Sequence, residues 1–93
     1  MMGAQGFSTS FLLFAQYGGQ AIIPLEEVCR DYFSHLTPEK LIRKVSSGEI
    51  ALPIVRIEPS QKSQRGVHLH DLAQYLDARR KDALIDFQKL HRQ

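Results

Sequence analysis

The chain has 93 residues, 43% of them hydrophobic, enough for one domain with one modest core. Twelve Lys and Arg against ten Asp and Glu leave a formal charge of +2, so composition alone does not single out a nucleic-acid partner. The lone cysteine, Cys29, excludes an internal disulfide and fits a reducing cytoplasm. The apolar run Phe11-Leu12-Leu13-Phe14-Ala15 is far shorter than the roughly 20 residues of a membrane span. It also lacks the basic flank and small-residue cleavage site of a signal peptide.

The expectation is a single domain over 1–93, soluble and cytoplasmic, with residues 1–6 a loose end. Residues 7–23 admit two readings. Phe11 to Tyr17 and Gln20 to Ile23 could form a hairpin around Gly18-Gly19. Alternatively, Ser8 to Tyr17 could be a helix capped by Ser8 or Thr9 and stopped by Gly18; this second reading is preferred. A clearer helix starts near Pro24, where a missing N–H costs nothing. Leu25, Val28, Cys29, Tyr32, Phe33 and Leu36 repeat at helical spacing, with Glu26, Glu27, Arg30 and Asp31 on the other face. Cys29 on that stripe reads as a small buried hydrophobe.

Thr37-Pro38-Glu39-Lys40 is an N-cap, a first-position proline and a first-turn acid, so a second helix follows at once as a tight helix-turn-helix. Leu41, Ile42 and Val45 turn inward, leaving Lys40, Arg43, Lys44 and Ser47 outward, and Gly48 closes the helix. Leu52–Ile57 is strand-like with Pro53 at its start, 59–66 is a polar turn, and Gly66–Leu69 returns as a short strand. From His70 or Asp71 a long helix buries Leu69, Leu72, Ala73 and Leu76, with 81–93 as a helical extension. Arg79-Arg80-Lys81 interrupts that helix and either contacts phosphate or keeps the face wet.

This order reads as α+β, mostly helical: a small winged helix-turn-helix with a long C-terminal helix. Charge follows it. Residues 1–36 carry Arg30 against Glu26, Glu27 and Asp31. Residues 37–66 carry Lys40, Arg43, Lys44, Arg56, Lys62 and Arg65 against Glu39, Glu49 and Glu58. The positive excess therefore lies on the second helix and hairpin, the elements that would face DNA.

Candidate DNA-contacting residues are Lys40, Arg43, Lys44 and Ser47 on the second helix, with Lys62 and Arg65 in the hairpin. Arg can take guanine O6 and N7 as a bidentate donor, and Lys neutralises phosphate. The alternative for each is a solvated surface. His68 and His70 stand two apart, but a metal site needs three or four ligands, so cap and surface roles are expected. Gly18-Gly19 lacks a phosphate-loop motif, and Phe7, Phe11, Phe14, Tyr17, Tyr32, Phe33 and Tyr75 read as core. No nucleophile–base pair, metal set or cofactor motif stands out, so an enzyme is not expected. The stripe Ala83, Leu84, Phe87 and Leu90 predicts either a homo-oligomer, most simply a dimer, or a fold-back onto 7–17.

The runs FLLFAQYGGQAIIPLEEVCRDYF (11–33) and LTPEKLIRKVSSGEIALPIVRIEPSQKSQRGVHLHDLAQYLDARR (36–80) resemble the pyocin activator protein family, PrtN, over nearly the whole chain. The resemblance implies a transcriptional activator of pyocin, bacteriocin or prophage genes that binds promoter-proximal boxes. It implies a plan similar to excisionase and MerR-like winged helices, with the DNA-reading residues on the 38–47 helix. Double-stranded promoter DNA and RNA polymerase are the partners to expect, with the protein on the nucleoid when bound. Two other functions stay open: an excisionase-like factor that bends DNA, and a protein-binding module or antirepressor without DNA contact.

Overall fold

The computed structural model describes residues 8–60 and 62–92. The expectation for 1–6 lies outside the described residues. Four helices and three short strands follow in chain order as α1 (Thr9–Gln16), β1 (Ile22–Pro24), α2 (Leu25–Tyr32), α3 (Pro38–Ser46), β2 (Val55–Arg56), β3 (Arg65–His68) and α4 (Leu69–His91).

The preferred helical reading of the N-terminal segment holds. The Ser8 hydroxyl accepts from Phe11 N, and Gly18 ends the helix with φ 64°. The apolar pattern that suggested a local hairpin is met differently. Ile22–Pro24 is a strand, but it pairs with β3, more than 40 residues further on: Ile22 faces His68, Ile23 faces Val67 and Pro24 faces Gly66. The sheet is antiparallel in the order β1-β3-β2. Pro24 ends the edge strand and precedes the first turn of α2, one residue before the expected helical position.

Gly66 is where the sheet closes. A Cβ there would stand 2.5 Å from the Ile23 carbonyl oxygen and 2.7 Å from Ile22 Cγ2. The main chain of β1 leaves no room for one and cannot retreat without breaking its pairing. Gly66→Ala is expected to cost about 3 kcal/mol and to lower the melting temperature by about 10 °C or more. Thermal denaturation followed by circular dichroism checks this; an unchanged midpoint would contradict the close approach.

Two strand boundaries depart from the sequence expectation. Leu52–Ile57 forms ladder pairs only at Val55 and Arg56. Leu52 is instead buried in the core, and Pro53 has no N–H to donate. The returning strand starts one residue early, at Arg65, which pairs with Arg56, and ends one residue early, at His68, because Leu69 is already helical. His68 takes the cap role: its Nδ1 accepts from His70 N at 3.0 Å. The expected interruption at Arg79-Arg80-Lys81 does not occur. α4 runs unbroken for 23 residues, since Arg and Lys are good helix formers and need only an exposed face.

The core gathers Leu13, Ile23, Val28, Leu41, Leu52, Val67 and Leu72, one from each helix, from β1, from β3 and from the segment before β2. Cys29 is buried as expected, and its burial pushes the thiol pKa up, away from reactivity. Phe33 caps α2 and packs its ring 5.6 Å from that of Tyr75, tying the helix-turn-helix to α4. Polar clamps fix α1 to α2: Tyr17 Oη donates to Asp31 at 2.6 Å and Tyr32 Oη to Gln16 at 2.7 Å. Burial and the Asp31 carboxylate together push the Tyr17 pKa well up, so this hydroxyl stays a donor at any ordinary pH.

Candidate nucleic-acid interface

α3 presents its polar face because its caps and stripe leave it no alternative. The Thr37 hydroxyl accepts from Lys40 N at 3.2 Å, fixing the first turn. Leu41 is fully buried, with Ile42 and Val45 packed beside it. At 100° per residue Lys40, Arg43, Lys44 and Ser47 then share the outer face, as expected.

The four are not equivalent. The helix ends with Gly48 at φ 85°, where Gly48 N donates to Val45 O at 3.1 Å and Glu49 N to Lys44 O at 2.9 Å. That double bond is the glycine-dependent helix ending known as the Schellman motif, and it folds the chain back on the last turn. Glu49 is thereby delivered to two of the candidates. Its carboxylate lies 3.1 Å from Lys44 Nζ and 2.9 Å from the Ser47 hydroxyl. Those contacts, Lys44 first, hold the Glu49 pKa below the usual carboxylate range. Lys40 and Arg43 are exposed and make no side-chain hydrogen bond or ion pair among the described residues. Sequence reasoning did not separate these pairs, although a Gly-Glu step just after a helix that ends in Lys and Ser was a readable signal.

The hairpin of β2 and β3 stands beside the start of α3. The cleft between them is lined by Pro38, Glu39 and Ile42 of α3, by Ser63, Gln64 and Arg65 of the hairpin, and at its floor by Leu25 and Glu26 of α2. Lys62 is exposed in the turn and Arg65 is half-buried in β3. Inside the loop, Ser63 Oγ donates to Glu58 O at 2.8 Å and Lys62 N donates to Ser60 Oγ at 3.2 Å, so the turn has internal order.

One further cation belongs with them. Arg56 is the direct cross-strand partner of Arg65. Ile57 N donates to Gln64 O at 3.2 Å, so the neighbouring Arg56–Arg65 pair is the non-hydrogen-bonded kind, with its side chains close on one face. Like charges placed so cost stability unless an anion lies between or near them. Arg56 was counted in the charge of the segment but not singled out, because only strand register shows which residue it opposes.

Among the described residues no group of three or more His, Cys, Asp or Glu could hold a metal ion, and none of their helices is long and apolar enough to cross a membrane. What the geometry offers is a helix-turn-helix with a β-hairpin at its side: a small winged helix-turn-helix of α+β class, extended by a long C-terminal helix. The chain belongs to the pyocin activator protein PrtN family, whose profile matches residues 9–83. That span takes in α3, the hairpin and most of α4, leaving Leu84, Phe87 and Leu90 outside it. No curated protein and no solved structure matches the chain.

Proposed function

We propose that this protein is a DNA-binding transcriptional activator of pyocin-type or prophage genes. α3 enters the major groove of promoter DNA and the β2–β3 hairpin follows the adjacent backbone. It works in the cytoplasm on the nucleoid, without cofactor or catalysis, and RNA polymerase is its second partner.

The observation that carries this reading is the placing of uncompensated cations. Lys40 and Arg43 have no acidic partner among the described residues, and Arg56 opposes Arg65 across the adjoining hairpin. A folded chain tolerates such crowding on two neighbouring elements at a cost in stability, and a polyanion laid across both relieves it. Base reading falls to Arg43, which has the fork for guanine. Backbone positioning falls to Lys40, Arg56, Lys62 and Arg65. Lys44 and Ser47, held by Glu49, contribute least.

Footprinting the full-length protein on cloned pyocin promoter DNA tests the assignment. Protection of a discrete box upstream of the transcription start is expected, with affinity falling steeply as salt rises. Protection confined to a recombination attachment site would instead favour a DNA-bending excision factor. No protection at low salt would favour a protein-binding module.

A further inference from the structure

We propose, on the reading that α3 faces DNA, that Glu49 is an autoinhibitory residue: it holds the Lys44 ammonium in an internal ion pair and so withholds one phosphate contact from the interface. Lys44 and Ser47 share the outer face of α3 with Lys40 and Arg43. Each of them meets the Glu49 carboxylate, Lys44 Nζ at 3.1 Å and the Ser47 hydroxyl at 2.9 Å. Lys40 and Arg43 are thereby the two cations of that face without an acidic partner among the described residues.

The main chain, rather than the reach of two long side chains, sets this pair. The Lys44 carbonyl accepts from Glu49 N at 2.9 Å and from Ile50 N at 3.2 Å, and Gly48 makes the turn at φ 85°. Glu49 is fastened to the residue whose charge it meets, so the two charges stay near each other even when the contact opens.

Stability does not account for the carboxylate. It stands just past the C-terminal end of α3, where the helix dipole disfavours an anion. The paired side chains of Lys44 and Glu49 are 40% and 60% exposed, and ion pairs so open to water add little to a fold. An acid set against the local preference, on the face turned to DNA, acts on the ligand instead. It repels phosphate and occupies an ammonium that would otherwise neutralise it.

Fluorescence anisotropy on the promoter box and on a random-sequence duplex, over a series of salt concentrations, tests the brake. Four proteins are compared: the parent, Glu49→Gln, Lys44→Ala and the double variant. Glu49→Gln leaves the main-chain bond to Lys44 in place and is expected to bind both duplexes about 3- to 10-fold more tightly at low salt, with a salt slope steeper by about one. Lys44→Ala is expected to change the slope little in the parent and by about one once Glu49 is gone, a coupling that a merely structural carboxylate would not show. If the parent binds DNA and Glu49→Gln changes neither affinity nor slope, the brake is overturned and the DNA reading stands. Equal effects of Lys44→Ala in both backgrounds overturn it too, because the carboxylate then acts only through its distant field. A parent that binds neither duplex overturns both. Carboxylate NMR of the DNA-free protein gives a second measurement. Glu49 is expected to titrate below the usual carboxylate range in the parent and to move back up towards it in Lys44→Ala; an ordinary titration in the parent would rule out the pair.

Discussion

Arg43→Ala is expected to lower affinity for the promoter box by about 5- to 150-fold and to relax preference at one base position. The fold should not suffer, since Arg43 is exposed and bonded to nothing among the described residues, while Leu41 on the opposite side holds α3 to the core. Lys40→Ala should act differently, weakening all sequences alike and lowering the salt slope by about one. Lys44→Ala should do less than either. Its ammonium lies 3.1 Å from Glu49, so near a phosphate the pair brings little net charge. Fluorescence anisotropy on the box and on single-base variants, at several salt concentrations, separates the three. If Arg43→Ala left affinity and base preference unchanged, α3 would not be the reading helix.

The hairpin gives the second large effect. Arg56, Lys62 and Arg65 replaced together by Ala should lower the salt slope by about two to three and reduce affinity uniformly across sequences. The Arg56–Arg65 register adds a readout that a purely structural role would not show. Removing one of two like charges directly opposite each other should leave hairpin stability unchanged or slightly higher, by about 0.5 kcal/mol or less. Arg56→Ala is therefore expected to bind DNA more weakly while melting no earlier than the parent. Loss of stability in that variant would mean that the arginine stems pack more than their charges repel. A parental salt slope in the triple variant would remove the hairpin from the interface.

Much of this was legible in the residues themselves, where the physics is local. Thr37-Pro38 starts α3, Gly48 ends it and Gly18 ends α1, because caps act over three or four neighbours. The apolar stripes of α2 and α3 predict their inward faces, and with them the outward set Lys40, Arg43, Lys44 and Ser47. The run of bases in α4 misled for the same local reason: it broke the apolar pattern, yet helix propensity carried the backbone through.

The order of the four helices and the β2–β3 hairpin, the two inward stripes and the family were determined by the sequence alone, since each rests on spacing or on a long matching string. What only the tertiary structure decided is everything that depends on partners distant along the chain. β1 is a strand because β3 completes it, and Gly66 is obligatory because Ile23 lies against it. Arg56 joins the hairpin cations because register sets it opposite Arg65. Lys44 and Ser47 are set apart from Lys40 and Arg43 by a carboxylate that arrives only after the chain has turned. The apolar stripe of α4 is buried at Leu69, Leu72 and Ala73 and exposed at Leu84, Phe87 and Leu90, a split that only the packing shows. Periodicity shows which side of a segment is apolar; only the packed chain shows whether anything covers it.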